Sequence, residues 1–347
     1  MRLGRLAVCA LLVAVQQATG QTSPGTGSAP QLAIDAQGTV RMIYGRGDTI
    51  LAVSSTDHGQ HFSTPVVVGI VPNMHLGNTR GPVLASSPRR TVVAAIGKAG
   101  VITLFELNHK SNRWRAVERA LNDADSSAPE GLMTLAADRD DRFHAVWLDV
   151  REARRNQIYF ATLEPGATSA RANTRVYAAP NGPVCECCRP SVSVARGIVS
   201  VMFRNSLGGF RDMYVTTSRD AGKTFAQPEK LGQGTWKFDA CPMDGGAMAY
   251  DGSGGIGTVW RRENAIYYAR RGSAEVRIAD GRSPMMAVEG GKTFVIWQSG
   301  PSIRMRTLDG GADTVVGEGR AAQVIGLGDG HVLTAWENAR SVYIRRF

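Results

Sequence analysis

Three cysteines crowd into four positions in the stretch GPVCECCRPSV, residues 182–192: Cys185, Cys187 and Cys188. A fourth, Cys241, stands in DACPMDGG. Thiolates are soft ligands, so this set suits copper or zinc, with Met243 as a neighbouring thioether and His75 or His144 at longer range. The C-x-C-C spacing departs from zinc-finger spacing. Two disulfides are the competing reading, since an even number of cysteines suits an oxidising compartment. Bridges between adjacent or next-but-one cysteines are strained, which leaves one easy bridge, from this cluster to Cys241. Thiol–disulfide exchange within the cluster is a third reading.

Arginine supplies a second chemistry. Arg80 in TRGP, Arg189 in CRPS and Arg282 in GRSP share one local context, and Arg320 opens a similar segment. Guanidinium forks bind carboxylates bidentately. Glu130 and Asp149 are the carboxylates that, by analogy with glycosidases, suit general acid and base roles. No C-x-x-C-H haem site, P-loop or G-x-S-x-G elbow is present.

The chain of 347 residues opens with Arg2, Arg5 and the short apolar run LAVCALLVAV, then QATG. Residues 1–20 therefore read as a secretory signal peptide. Their apolar run is too short to span a bilayer, and no transmembrane segment follows. Loss of Arg2 and Arg5 lowers the formal charge from +10 to +8, and loss of Cys9 leaves the four cysteines above. An exported, periplasmic or extracellular protein of this charge suits an anionic partner: acidic glycan, phosphate or membrane surface. No nucleic-acid motif accompanies the charge, so nucleic acid is not the expected partner. Residues 21–31 read as an N-terminal tail and 32–347 as one domain.

What positions these groups is a repeat. Seven segments line up, among them GLMTLAADRDDRFHAVWLDVREARRNQIYFATL and AAQVIGLGDGHVLTAWENARSVYIRRF. Each has a short apolar strand, a polar turn, a second strand, a loop and a third strand. The second strand ends near an aromatic at Tyr44, Trp147, Phe203, Trp260, Trp297 and Trp336, which reads as core packing. Most units add a fourth extended piece. Four antiparallel strands at this period predict an all-β fold, a β-propeller of seven blades, with six as the alternative. The last unit ends at Phe347 with three strands, so the mature N-terminus is expected to supply the fourth and close the ring.

Two turns after a third strand share the pattern S-x-D-x-G-x-x-F: Ser55, Asp57, Gly59, Phe62, and Ser218, Asp220, Gly222, Phe225. An Asp accepting backbone N–H groups, a Gly at positive φ and an aromatic plug make a tight hairpin. The segment LNHKSNRW keeps the final aromatic, Trp114. These turns resemble the Asp-box (BNR) repeats of the sialidase-like β-propeller superfamily. The resemblance implies structural turns on the face opposite the ligand site. It also implies an arginine clamp on a substrate carboxylate, with acidic residues and a Tyr–Glu pair for chemistry. The Arg-Ile-Pro signature of sialidases is absent.

Strand-one starts and strand-two ends share the opposite face, because the two strands are antiparallel. That mouth collects Arg80, Glu130, Arg189, Asp244, Arg282 and Arg320, with the cysteine segments preceding strand one of the fourth and fifth units. Arg80, Arg282 and Arg320 are the expected anion clamp, supported by Arg189 and Asp244. The expected function is recognition, extended to hydrolysis in one version, of an anionic glycan or small molecule at a basic central mouth. A copper- or zinc-binding protein built on the cysteines is the alternative, and a non-catalytic interaction scaffold is the third.

Overall fold

The computed structural model describes residues 20–167, 169–251 and 253–347. The stretch read as a signal peptide lies outside them, apart from Gly20. Seven four-stranded antiparallel sheets follow one another around a ring, as a seven-bladed β-propeller. Blade one is typical: Ser28–Ile34, Val40–Arg46, Thr49–Ser55 and Val66–Ile70, from the axis outward. The first strands of blades two to seven are Val83–Ser86, Met133–Ala137, Ser191–Ala195, Gly246–Tyr250, Arg282–Glu289 and Arg320–Gly326.

Middle strands do not alternate apolar and polar. Arg90–Ile96, Phe143–Asp149 and Gln157–Leu163 are buried throughout, because each sheet is covered on both faces by its neighbours. The apolar residues accordingly form seven clusters, one per seam between blades. The repeated strand-two aromatics are core groups, as expected: Trp147, Trp297 and Trp336 are fully buried. Four of them pair in register with the tyrosine of strand three and pack ring on ring: Trp147–Tyr159, Phe203–Tyr214, Trp260–Tyr267 and Trp336–Tyr343, with centroids 5.8 to 6.4 Å apart. Such cross-strand pairs stabilise a sheet beyond the area they bury.

The stretch read as a tail is ordered. Gln21–Thr26 pairs antiparallel with Ser341–Arg346, completing blade seven, and the chain then enters blade one at Ser28. No helix among the described residues is long and apolar enough to cross a membrane.

The two S-x-D-x-G-x-x-F turns share one hydrogen-bond pattern. Gly59 and Gly222 N–H donate to Ser55 and Ser218 Oγ, both at 2.8 Å. Asp57 Oδ1 accepts the His61 N–H, and Asp220 Oδ1 that of Thr224, both at 3.0 Å. Phe62 and Phe225 pack against the adjoining cores. The degenerate third turn substitutes Asn108, whose Oδ1 accepts the Lys110 and Ser111 N–H groups. Strand register puts Ser55 beside Val40, at the far end of the blade from Ser28, so these turns lie opposite the mouth.

Two predictions follow from this closure and these turns. Deleting residues 21–26 removes about four ladder hydrogen bonds at roughly 1 kcal/mol each. At about 2 °C per kcal/mol for a large domain, the melting midpoint should fall by about 8 °C. An unchanged midpoint in calorimetry would show that the closing strand is dispensable. The second concerns acid. The His61 N–H and the Ser55 hydroxyl hold the Asp57 carboxyl well below the usual carboxylate range, and Thr224 and Ser218 do the same for Asp220. A depressed folded-state pKa gives stability that is present above the ordinary value, about 4, and lost as pH falls through the folded one. The double variant Asp57→Asn, Asp220→Asn should melt below wild type at pH 7, with the gap closing towards pH 2. A gap independent of pH would refute the ionic origin.

Candidate functional site

The mouth is shaped by strand one, which lies nearest the axis. In blades six, seven and one this strand begins with a β-bulge, between Arg282 and Met285, Arg320 and Gln323, and Ser28 and Gln31. The bulge residues Ser283, Ala321 and Ala29 have φ of 51°, 54° and 54°. Residues other than glycine seldom adopt that conformation, and such strain gathers at functional sites. Before the bulge stand Gly281 and Gly319, with φ of 158° and 139°. A Cβ there would meet the Trp297 indole at 2.4 Å and the Glu337 carbonyl at 2.0 Å. Glycine is therefore required for strand one to approach strand two of its own blade.

Neighbouring carboxylates fix the bulges. Ala29 N–H donates to Glu337 Oε2 at 2.6 Å, and Ser283 N–H to Asp244 Oδ2 at 3.0 Å. Asp244 is fully buried. Burial pushes its carboxyl up, opposed by the Arg204 charge and the Ser283 N–H.

Arg189 crosses the axis. It lines two small cavities with Asn78, Thr79, Ala321 and Gln323, and its Nη2 meets the Met285 sulfur of blade six at 3.5 Å. Burial draws its guanidinium below the usual range, with Asp244 opposing. The two cavities hold about 20 and 10 Å³, the room of a single water or small ion.

The room lies to one side. A cleft of about 410 Å³ opens on the mouth face between blades six, seven and one. Its walls carry Ser28, Gln298, Glu318, Arg320, Glu337, Asn338 and Arg340. Arg320 Nε donates to Glu337 at 2.5 Å. The exposed Arg340 guanidinium has no partner among the described residues.

The structure therefore divides the expected clamp. Arg80 lines an axial cavity but is held by Glu130, through its carbonyl at 2.6 Å and its carboxylate at 3.3 Å. Arg320 lines the side cleft, and Arg282 is exposed and lines neither. The acid–base pair fares differently. Asp149 is 0% exposed and its carboxylate is fully engaged. It accepts Ser127 Oγ, Trp147 Nε1, the Arg151 N–H and the Arg151 fork, all between 2.8 and 2.9 Å. A carboxylate so placed cannot reach a substrate, which corrects its catalytic assignment. Glu130, paired with Arg80, shows no second carboxylate in hydrogen-bonding contact. Among the described residues one Tyr–Glu hydrogen bond is present, Tyr159 to Glu152, and burial together with that bond pushes the phenol up.

Of the cysteines, Cys185, Cys187 and Cys188 converge, their sulfurs within 4.8 Å of one another. Cys241 is exposed and outside the cluster, and none of the four is in a disulfide, so the expected bridge to Cys241 is not formed.

Sequence reasoning missed Arg340, Asn338 and Gln298. They sit in or beside hairpins joining strands two and three, which read as ordinary turns. Arg340 is fixed at the cleft by the closing strand, whose ladder ends with Gly27 N–H bonding the Arg340 carbonyl at 2.8 Å.

No family model and no curated protein matches the sequence. Solved structures do. The chain is similar to the BP39L lectin from Burkholderia pseudomallei at a TM-score of 0.69 and 11% identity, covering 93% of this chain and 96% of that one. It is similar to a Penicillium chrysogenum α-L-arabinanase complexed with arabinobiose, at 0.55 and 12%, covering 94% and 97%. It is also similar to the Hadza microbial sialidase Hz136, at 0.52 and 13%, covering 92% of this chain and 65% of that one. At these identities the likeness is one of fold.

Asp149→Ala should destabilise the protein by about 2–6 kcal/mol, the cost of leaving the buried Trp147 Nε1 and Ser127 Oγ donors without their acceptor at about 1–3 kcal/mol each, although Arg151 keeps Asp123. Denaturant unfolding would register it. A loss under 1 kcal/mol would reopen the residue to a functional role.

Proposed function

We propose that this protein recognises a glycan in the side cleft between blades six, seven and one, and that acidic sugars are its preferred class. The cleft carries the reading: about 410 Å³ of space walled by amide, carboxylate and guanidinium groups suits a ligand that is dense in hydroxyls. Arg340 is the group with capacity to spare, and a guanidinium meets a sugar carboxylate bidentately. Strained bulges in all three blades that border the cleft support the same place. Structural neighbours include propellers whose names are lectin, arabinanase and sialidase. The leader-like residues 1–20 accord with action outside the cytoplasm, where glycans are met. The reading stops at recognition, because Asp149 is sealed from any substrate.

A mixed array of neutral and acidic glycans, followed by calorimetric titration of any ligand retained, tests this. Arg340→Ala should weaken binding about 10- to 100-fold, as expected for a charge-assisted hydrogen bond of roughly 1.5–3 kcal/mol. Added salt should weaken it further. An array on which no glycan is retained, or a bound glycan indifferent to Arg340, would overturn the proposal.

A further inference from the structure

The cysteine cluster lies apart from the cleft. Cys185 to Cys188 form a turn just before strand one of blade four, tied down by Cys185 N–H to the Arg204 carbonyl at 3.1 Å. Glu186 points outward and is exposed, while Cys185, Cys187 and Cys188 are 1%, 7% and 2% exposed. The C-x-C-C spacing thus turns three sulfurs inward and one carboxylate out. Cys185 Sγ is 3.8 Å from Cys187 Sγ and 3.4 Å from Cys188 Sγ. Three thiolates around one ion at about 2.3 Å would stand about 4.0 Å apart, so Cys185 and Cys188 need separate by about half an ångström and Cys185 and Cys187 by less.

The surroundings are made for negative charge. Arg204 is 1% exposed, with Nη1 and Nη2 donating to the carbonyls of Arg211 and Arg261 and its Nε buried without a partner. Its charge and the Asp244 N–H both favour the Cys188 thiolate.

We propose that Cys185, Cys187 and Cys188 form a three-thiolate site for a single soft monovalent cation, Cu(I). The choice between soft ions rests on ligand number. Zinc takes four ligands, and among the described residues no His, Asp or Glu joins the three sulfurs. The nearby Asp244 carboxylate is committed to the Gly245 and Ser283 N–H groups and to Arg261. Cu(I) favours thiolate sulfur and is satisfied by three such ligands. Binding releases the protons of Cys185 and Cys187, and that of Cys188 where it is still held, to solvent. No electron is transferred. Arg204 then faces an anionic copper–thiolate group, which gives its buried Nε a charge to answer.

The test uses the full chain, purified under reductant, stripped of metal and titrated anaerobically with Cu(I) against a chromogenic Cu(I) chelator. One Cu(I) per chain should be retained, with X-ray absorption giving a shell of three sulfurs. Bound Cu(I) should shield Cys185, Cys187 and Cys188 from alkylation and leave the exposed Cys241 reactive. Cys188→Ser should lower affinity by on the order of 100-fold or more, beyond the roughly 10- to 100-fold that loss of an outer-shell partner costs. Cys241→Ser should leave it unchanged. Should Cys188→Ser fail to fold, the sulfur shell and the alkylation pattern of the wild type decide. Uptake of Zn(II) but not Cu(I), equal alkylation with and without copper, or a disulfide within the cluster in anaerobically purified protein would each overturn the site.

Discussion

Every sheet in this ring has two apolar faces, and neither can be buried within its own blade. That constraint governs the rest. An indole such as Trp297 or Trp336, removed from water by the next blade, contributes up to about 5 kcal/mol at roughly 25 cal/mol per Å² over about 200 Å². A ladder hydrogen bond contributes about 1 kcal/mol. The seams between blades therefore outweigh the sheets, and no blade is stable alone. Closure follows from this: an open ring would leave two apolar faces in water, so the N-terminal strand crosses to blade seven.

Closure sets the terms at the axis. Seven first strands converge where space is least, and strand one must lie against the aromatic that ends strand two. Glycine at 281 and 319 and the bulges at Ser283 and Ala321 are local answers to that crowding. The same crowding fills the axis with Arg189 and shrinks its cavities to the size of a water molecule. A cleft of about 410 Å³ lies beside the axis, between blades six, seven and one, whereas the sequence reading set the mouth at the centre.

That difference marks what a linear reading can carry. Strand periodicity, the recurrent aromatic and the S-x-D-x-G-x-x-F turns are local in sequence, so seven blades, their closure and the buried aromatics were legible. Antiparallel pairing then placed Arg80, Arg189 and Arg320 on one face without coordinates. Radial position is not local. That Arg282 is exposed while Arg189 lines the axial cavities follows from how each first strand enters its blade, with a bulge in blade six and none in blade four. Partnership is hidden too: Asp149 looked available because Trp147, Ser127 and Arg151, which enclose it, are recognisable as partners only once the hairpin is folded. The cysteines show both sides. Local spacing joined Cys185, Cys187 and Cys188, while the predicted convergence with Cys241 relied on adjacent blades presenting equivalent positions, and the segment before strand five does not follow that rule. Repeats of another kind went unread: Asp35, Asp138 and Asp251 each accept two backbone N–H groups in the first hairpin of their blades. All three share Ala-x-Asp, at residues 33–35, 136–138 and 249–251, a pattern too short to stand out until the hairpins are folded.

The acidic residues are drawn into the seams. Seams need hydrogen-bond acceptors where backbone N–H groups of one blade face the next. Glu337 accepts from Ala29, Asp244 from Ser283, Glu289 from Gly328 and Gly330, and Asp141 from Ser87 and Arg89. Each joins adjacent blades. A carboxylate is the suitable group, since ionised acceptors make the stronger hydrogen bonds and have lone pairs enough for two donors. Arginine has no acceptor to offer a backbone N–H and cannot replace it. Holding these four seams thus consumes carboxylates and leaves guanidinium groups such as Arg282 and Arg340 without a side-chain partner among the described residues, in a chain whose formal charge is +10.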